Sequence, residues 1–395
     1  MEAKRVARAG VMTALLAVSA QVMLPFGPVP FTLQTLVLAM VPAVLDPATS
    51  VFTVLAYVVL GAVGLPVFAG FNGGIGALAF ASGHAAMVHT FLNLAGAGDE
   101  IVSSICIYGG AINMMGVTLG RIGVKVKFVD PGDLGAWEAA VTDRTKAFFV
   151  EAIGNPNANV ADIEAIAAIA HRHGVPMIVD STFTTPYLLR PIDYGADYVV
   201  HSATKFLGGH GTAMCGIVTD AGTFDFNGNP RFPLYTEPDV SYHGVVFAKD
   251  CGNAGFLSRL RAMMLRDLGG CCAPLSAFLI MQGIETLSLR MRHISESALA
   301  IAEHLESHPD VAFVNYPGLK SSPYYPLVRK YLPRGAGGVF TFGLKGGRER
   351  GAKLIDSLEL ILHVTNVGDS RTYHLSPLAH ADAPATDIIL SLIHI

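Results

Sequence analysis

Short apolar runs alternate with helix-like segments along residues 100–219, and this alternation constrains the fold more than any other feature of the sequence. Between two of the runs, Ala161–His173 repeats its apolar residues with the helical period, and Gly174 follows as a stop. Repeated strand and helix units predict an α/β fold, with a mainly parallel sheet and helices on both faces. The predicted strands are Glu100–Cys106, Val124–Val129, Ala147–Ile153, Val175–Asp180, Tyr198–Val200 and Cys215–Thr219.

Polar residues follow the ends of these predicted strands. Because the carboxyl ends of parallel strands meet at one edge of a sheet, we expect these side chains to share one crevice. Lys205, once it has lost its proton, could form a Schiff base with an aldehyde cofactor. A carboxylate, an aromatic ring and hydroxyls suit the other parts of the cofactor pyridoxal phosphate. The alternative is that the lysine is a solvated loop residue. The residues are Tyr108, Asn155, Asp180, Ser202, Thr204 and Lys205.

A helix start near residue 82 suggests an anion site. The stretch Ala81–Met87 is typical of a turn that opens a helix, with Ser82 as its N-cap. The backbone N–H groups of Gly83 and His84 would then face an anion, which the helix dipole also favours. Capped helices are common, so this stretch alone predicts nothing more specific, and the His84 side chain is interpreted as a bystander.

The opening part of the chain has a different composition from the rest. Between Val6 and Gly98 the only charged residues are Arg8 and Asp46. Three apolar runs in this region are near the length needed to cross a bilayer, which predicts membrane helices in residues 1–76. One alternative is a signal peptide, which the two further apolar runs behind the first disfavour. The other is a set of buried helices in a soluble core, which is disfavoured because these runs have almost no charge on any helix face. The runs are Ala9–Phe26, Phe31–Leu45 and Ser50–Phe68.

Charge and cysteine content exclude several classes of protein. The net charge is −4, which gives no indication of nucleic-acid binding. The five cysteines are odd in number and include no CxxC pair, which argues against a disulfide framework and a zinc site. We therefore predict no metal and a reducing compartment, the cytoplasm, for the part of the chain after residue 76.

Two stretches near the start of the chain carry a first resemblance. Ser19–Thr35 and Leu60–Phe71 resemble the opening of the BioY family, the membrane subunits that capture biotin in bacterial importers. The resemblance covers only the opening helices and implies a truncated BioY-like segment over residues 1–76. It ends at Asn72–Ala79, a glycine-rich turn that fits the next resemblance as well. We predict a chimeric gene there; a genuine fusion with a flexible linker is the alternative.

A second and longer resemblance covers residues 77–380. The motifs that carry it are Ala81–Ala86, Ile107–Gly110, Glu151 with Asn155–Pro156, Val179–Phe183, His201–Thr212, Arg266–Asp267, Gly283–Leu287, Tyr316–Gly318 and Asn366–Asp369. They resemble the Cys/Met-metabolism family of pyridoxal-phosphate enzymes, and His201–Thr212 favours its O-acetylhomoserine sulfhydrylase branch. The resemblance implies the type I transferase fold, with a cofactor-binding domain over 77–224, a loop over 225–256 and a small α+β domain over 257–389.

The resemblance also implies a role for each candidate site residue. Lys205 would hold the cofactor as a Schiff base and move protons, and Asp180 would pair with the ring nitrogen. Tyr108 would stack on the ring and take part in catalysis. Asn155 would lie near the ring hydroxyl or the substrate carboxylate. The phosphate would be held by Gly83, His84, Ser202 and Thr204.

The implied reaction is a γ-replacement in methionine biosynthesis. Acetate leaves the γ-carbon of O-acetylhomoserine, and sulfide or a thiol takes its place to give homocysteine or methionine. Family members are homotetramers that act on a small amino-acid substrate, and the resemblance gives no reason to expect a nucleic-acid partner.

The two ends of the chain depart from the family pattern. The family's N-terminal arm, which supplies a tyrosine and an arginine to a neighbouring phosphate site, and its C-terminal arginine have no counterpart here, and residues 390–395 are interpreted as a non-native tail. Three hypotheses follow: the sulfhydrylase, a biotin-binding membrane module, and an inactive chimera that binds the cofactor weakly or not at all.

Overall fold

The computed structural model of the chain describes residues 3–20, 23–24, 31–32, 34–51, 53–54, 76–359, 362–363, 367–369, 373–374 and 387–391. The chain divides into two compact units, Met1–Ile75 and Gly76–Ile395.

The first unit pairs two helices. They are α1 (Ala3–Ala20) and α2 (Gln34–Val44), with the two-residue strands β1 (Met23–Leu24) and β2 (Phe31–Thr32) paired antiparallel. Residues 47–51 and 53–54 are also helical. Leu16 is fully buried and lies in a small apolar cluster with Met12, Val41 and Leu45.

Within the described part of the chain, no helix is both long and apolar enough to cross a membrane. The 18 residues of α1 include Lys4, Arg5 and Arg8, and α2 has only 11 residues. The predicted spans over Ala9–Phe26 and Phe31–Leu45 are therefore not supported, because each helix is too short or too charged. Most of the third predicted span, residues 50–68, lies outside the described residues.

The second unit is built on a mainly parallel sheet. Its strands in chain order are β3 (Gly76–Phe80), β4 (Glu100–Ser104), β5 (Lys125–Val129), β6 (Thr145–Glu151), β7 (Met177–Asp180), β8 (Tyr198–Ser202) and β9 (Gly216–Asp220). Among the described residues their order across the sheet is β3-β9-β8-β7-β6-β4-β5. The five strands from β4 to β8 are parallel. At one edge β9 runs antiparallel to β8, and β3 runs antiparallel to β9 and so in the direction of the other five. The predicted α/β fold with a mainly parallel sheet is confirmed.

Alternate residues of the central strands enter two separate cores. In β6, Phe148 and Val150 face the core that contains α5 (Ile163–Arg172), whereas Phe149 faces the core that contains α3 (Gly83–Leu94). All seven β6 residues are buried. This explains why the central strands are continuous apolar runs, since a parallel sheet covered on both faces exposes neither set of side chains.

The remaining longer helices are α4 (Leu134–Ala140), α6 (Pro274–Glu285), α7 (Leu287–Ser307), α8 (Tyr325–Tyr331) and α9 (Gly347–Asp356). Shorter helical segments are Gly109–Asn113, Met114–Thr118, Leu119–Arg121, Thr185–Leu188, Pro191–Tyr194, Pro233–Thr236, Phe247–Asp250, Gly252–Ala254, Gly255–Arg259, Leu260–Leu265 and Arg266–Leu268. The stretch over 225–256 therefore contains helical turns where a loop was predicted. Its aromatic residues cause the difference, because Phe232 and Tyr235 are buried in the core shared with α3.

A small antiparallel sheet lies near the C-terminus. It consists of β10 (Val311–Asn315), β11 (Val339–Leu344) and β14 (Asp387–Ser391), in the order β10-β11-β14. The two-residue strands β12 (Leu362–His363) and β13 (Tyr373–His374) pair with each other. Leu390 and Ser391 pair with β11, so the predicted start of a non-native tail at residue 390 falls inside a strand.

The predicted glycine-rich turn over Asn72–Ala79 is corrected in its second half. Residues 76–79 belong to β3, which pairs along its whole length with β9. The turn prediction was based on the glycines, but β9 offers an unpaired edge, and ladder hydrogen bonds to that edge outweigh the low strand propensity of Gly76.

Candidate active site

Two carboxyl groups end neighbouring parallel strands. Glu151 is the last residue of β6 and Asp180 the last of β7, and the strand register places them side by side. Burial, and next the charge of Asp180, raise the pKa of Glu151 well above its ordinary value. Burial raises the pKa of Asp180 to about 6, although hydrogen bonds from Thr182 and the nearby His84 oppose this shift. Burial thus raises the pKa of both carboxyls, while the hydrogen bonds from Thr182 and the nearby His84 favour the ionised form of Asp180.

Glu151 also positions Tyr108. The backbone N–H of Tyr108 donates to Glu151 Oε1 at 2.7 Å, and the backbone N–H of Asn155 donates to the same carboxyl group. The Tyr108 and His84 rings meet edge to face, with their centroids 5.6 Å apart. The Tyr108 side chain is half exposed, so one face of its ring is free for a flat ligand.

The start of α3 lies directly against the end of β8. A Cβ atom added at Gly83 would come within 2.6 Å of Ser202 Cβ and 2.9 Å of its Cα, so only glycine fits there. Ser82 caps the helix, its Oγ accepting from the backbone N–H of Ala85 at 3.1 Å. Among the described residues, the N–H groups of Gly83 and His84 have no protein partner. These two donors and the Ser202 hydroxyl therefore form one polar recess at the positive end of a helix dipole.

Lys205 lies in the turn that follows β8. Its backbone N–H donates to Ser202 O at 3.1 Å, which closes the turn. Burial lowers the pKa of Lys205, so its amine loses a proton more easily than a solvated lysine. The Thr204 hydroxyl is anchored to Cys215, because it accepts from the Cys215 N–H at 3.1 Å and lies 3.3 Å from the Cys215 carbonyl oxygen. The Thr204 hydroxyl can donate a hydrogen bond to a phosphate only if its proton turns away from the Cys215 carbonyl oxygen.

Thr182 connects the carboxyl pair with the lysine turn. Its N–H donates to Asp180 Oδ1 at 2.8 Å, and its Oγ1 accepts from the backbone N–H of Ser202 at 2.8 Å. The structure thus brings the predicted site residues into two adjoining groups at the carboxyl edge of the sheet. One comprises Tyr108, His84, Asp180 and Asn155, and the other Gly83, Ser202, Thr204 and Lys205. Glu151 and Thr182 belonged to sequence motifs but were not predicted as site residues.

Arg290 is a residue that the sequence reasoning missed. From α7 its guanidinium donates to the carbonyl oxygens of Phe206 at 2.7 Å and Leu207 at 3.2 Å, the two residues that follow Lys205. It also donates to Gly283 O at 2.7 Å and Thr286 Oγ1 at 3.0 Å. No spacing in the sequence indicates the contacts with Phe206 and Leu207, because these backbone atoms lie 84 and 83 residues away along the chain.

Replacing Arg290 with methionine is expected to destabilise the lysine turn. Methionine keeps much of the side-chain volume but donates no hydrogen bond, so the carbonyls of Phe206 and Leu207 lose their donors, while Gly283 O still accepts from Thr286. We expect the free energy of unfolding to fall by about 3 kcal/mol, measured by urea denaturation. The matched control is Arg292→Met, an exposed arginine of the same helix, and equal losses in both variants would contradict the assignment.

Gly83→Ala provides a second test of the geometry. The added methyl group overlaps Ser202, so the start of α3 must move away from β8. We expect a loss of about 2 kcal/mol in the free energy of unfolding and a weaker phosphate recess, measured by denaturation and by phosphate-ester binding. Gly120→Ala is the control, since a Cβ at that helical glycine meets nothing within 4 Å; a Gly83→Ala protein as stable as this control would be inconsistent with the contact.

A cavity of about 460 Å³ lies at the opposite, amino end of β8. It is lined by His171, Asp197, Thr223 and Asn229, among others, and includes none of the predicted site residues. Asp197 is held there by the backbone N–H of Met177 at 2.8 Å. In parallel α/β sheets ligands bind at the carboxyl ends of the strands, so this cavity is not the candidate site.

Comparison with known proteins identifies two families along the chain. A family model described as Cys/Met metabolism PLP-dependent enzyme matches residues 67–387, and a BioY family model matches residues 1–84. Homocysteine synthase of Schizosaccharomyces pombe is 46% identical over 316 residues, covering 80% of this chain and 74% of that protein. O-acetyl-L-homoserine sulfhydrylase of Leptospira meyeri is 44% identical over 318 residues, covering 78% and 72%.

A solved structure is similar over the same part of the chain. It is a putative O-acetylhomoserine (thiol)-lyase from Campylobacter jejuni, with a TM-score of 0.76 and 36% sequence identity. The match covers 80% of this chain and 77% of that chain. That structure contains N'-pyridoxyl-lysine-5'-monophosphate, a lysine joined to the cofactor.

Proposed function

Because the chain belongs to the Cys/Met-metabolism family of pyridoxal-phosphate-dependent enzymes, we propose that it catalyses γ-replacement on O-acetylhomoserine with sulfide or a thiol. The products are homocysteine or methionine, and acetate. The observation that carries the proposal is the convergence of Lys205, Asp180 and Tyr108 with the phosphate recess at one edge of the sheet. The names of the relatives support the choice of substrate.

The donor set fits pyridoxal phosphate. The cofactor's phosphate needs hydrogen-bond donors, and the N–H groups of Gly83 and His84 and the Ser202 hydroxyl supply them. Its ring nitrogen needs an anion, and Asp180 is the carboxyl that ionises. Its aldehyde needs an amine that loses its proton easily, and burial lowers the pKa of Lys205. Each part of the cofactor thus has a complementary group among residues that are already in contact with one another.

When bound, pyridoxal phosphate withdraws electrons from the α-carbon of an attached amino acid. Lys205 supplies the base that removes the substrate's α-proton and carries protons between neighbouring carbons. Asp180 keeps the ring nitrogen protonated, while neutral Glu151 accepts from Tyr108 N–H and so fixes that ring. Asn155, bonded through its N–H to Glu151, is placed beside this group for the ring hydroxyl or the substrate carboxylate.

The proposal is tested with the full-length chain and added pyridoxal phosphate. O-acetylhomoserine with sulfide should yield homocysteine, measured by mass spectrometry, and O-acetylserine should be a poorer substrate. Cofactor that stays bound through gel filtration supports a complete site. If the protein retains no cofactor and forms no homocysteine, the inactive chimera predicted from the sequence is the correct account.

We also propose that the enzyme forms homo-oligomers through α6. Leu275, Phe278 and Met281 are 68%, 55% and 65% exposed and recur on one side of that helix. An exposed apolar stripe of this kind is typical of a subunit interface, and the family resemblance implies a tetramer.

Phe278→Glu is expected to lower the mass of the assembly. The new carboxylate would have to be buried without a partner at the interface, which costs several kcal/mol. Light scattering after gel filtration measures the change. Glu303→Lys, an exposed charge change on α7, should leave the mass unaltered. A Phe278→Glu protein with the parent mass would exclude this face as an interface.

A separate proposal concerns residues 1–76, which we infer to be a BioY-like segment joined to the enzyme by a chimeric gene. The two family matches overlap at residues 67–84, around the predicted seam. Gly76–Phe80 and Ser82 are integral to the enzyme sheet and the capped helix, which favours a junction before Gly76. Sequencing one unbroken DNA molecule across codons 60–90 tests the junction. Capture of labelled biotin by the purified chain would instead favour a working biotin module.

A further inference from the structure

Two thiols far apart in sequence meet beside the lysine turn. Cys272 Sγ lies 3.3 Å from Cys215 Sγ, and the two residues are 57 positions apart. Both are free thiols. Cys215 is buried, directly before β9, whereas Cys272 is partly exposed, shortly before α6 begins.

The neighbouring Cys271 faces a different environment. Its backbone pairs with Phe80 at the end of β3, and its side chain is exposed. Successive side chains of an extended segment point to opposite sides, so Cys272 is directed inward at Cys215 while Cys271 is directed outward. The contact is therefore specific to one of two adjacent cysteines, which the sequence alone could not distinguish.

We propose that Cys215 and Cys272 form a reversible oxidation site, in which hydrogen peroxide oxidises the two thiols to a disulfide. The accessible Cys272 reacts first: its sulfur attacks one peroxide oxygen, the O–O bond breaks, and a sulfenic acid and one water form. The Cys215 sulfur then attacks the Cys272 sulfur, the S–O bond breaks, and a second water leaves. Two thiols are oxidised by two electrons, one peroxide is reduced to two waters, and both thiol protons end in water.

The geometry suits this step. A disulfide needs a sulfur separation of about 2.05 Å, so the two sulfurs must approach by little more than 1 Å from their present contact. Cys215 is an inert thiol by itself, because burial raises its pKa to about 12. A raised pKa slows its attack on any sulfur, so the 3.3 Å contact, and not its acidity, qualifies it to resolve an oxidised Cys272, and its proton passes to the departing hydroxyl as the S–S bond forms.

The bond would connect two segments that shape the candidate site. The Cys215 backbone holds the Thr204 hydroxyl, one residue before Lys205. Cys272 leads into α6, where Gly283 packs on the backbone of Gly208 at the other end of the lysine turn. Oxidation would tie both sides of this turn together. The inference needs only the two thiols and does not depend on the proposed reaction.

The test is oxidation of the purified full-length chain with a small excess of hydrogen peroxide, followed by alkylation and proteolysis without reductant. Mass spectrometry should find a peptide pair joined through Cys215 and Cys272 in most of the protein. Dithiothreitol should separate the pair. Cys106 and Cys251 should stay free thiols during oxidation, and their peptides should therefore be recovered alkylated and unlinked.

Two serine variants fix the position of the bond. Cys271→Ser should keep the linked pair, and Cys272→Ser should lose it. The proposal is overturned if the pair forms through Cys271, or if peroxide converts Cys272 to sulfinic acid while Cys215 stays alkylatable. The wild-type measurement decides between these outcomes even if a variant does not fold.

Discussion

Replacing Lys205 with alanine is expected to abolish covalent attachment of pyridoxal phosphate and to lower kcat for homocysteine formation by at least about 10³-fold. Alanine removes both the amine that joins the cofactor and the base that takes the substrate's α-proton. The measurement is borohydride reduction of the protein with cofactor, followed by mass spectrometry of the peptide around residue 205. The wild-type chain should carry a pyridoxyl group there and the variant none.

Two further variants separate this role from a general loss of positive charge. Lys205→Arg keeps the charge but cannot form a Schiff base, and it should be as inactive as the alanine variant. Lys320→Ala removes an exposed lysine and should change neither attachment nor turnover. A pyridoxyl group found on another lysine, with turnover retained in Lys205→Ala, would show that the wrong residue has been assigned.

Asp180→Asn is expected to lower kcat by about 10²-fold or more without destabilising the protein. The amide has the same shape and can still accept from the Thr182 N–H, but it cannot hold a protonated ring nitrogen. The carboxylate is costly in the protein without cofactor, because burial raises its pKa to about 6. Activity and stability should therefore move in opposite directions, which simple misfolding would not produce.

Glu151→Gln is the matched control for Asp180→Asn. Burial raises the pKa of Glu151 well above its ordinary value, and a glutamine oxygen can still accept from the Tyr108 N–H. Turnover should stay within about tenfold of the parent, since a neutral group replaces a neutral group. Equal losses in the two variants would mean that the charge is shared by the pair, or lies on Glu151, rather than on Asp180.

The raised pKa of Asp180 also fixes the sign of a pH effect. The folded state holds this proton more tightly than the unfolded state, whose value is near 3.8. The contribution of protonated Asp180 to the free energy of unfolding is therefore fully present below about pH 4 and is lost as the pH rises to about 6. Urea denaturation of the protein without cofactor should show this decline, and Asp180→Asn should reduce it. Asp143→Asn, which changes a fully exposed carboxylate, should leave the profile unaltered.

The sequence by itself determined the fold class, the order of the central strands along the chain and most of the candidate site. Strands buried on both faces must be continuous apolar runs, and polar residues that follow them must emerge at one edge of the sheet. Lys205, Asp180 and Tyr108 could be predicted as site residues for that reason. The apolar composition of residues 1–76 also predicted membrane helices. That prediction is not supported, because composition alone does not fix the length of a helix.

Only the tertiary structure decided which groups act on one another. The register of β6 against β7 makes Glu151 and Asp180 a buried pair, in which the pKa of each carboxyl is raised. The packing of α3 on β8 requires glycine at position 83, and α7 brings Arg290 to the carbonyls after Lys205. Cys215 meets Cys272 and not its neighbour Cys271. Each of these contacts joins residues from different elements, and their distances depend on how those elements pack, which no local pattern of residues specifies.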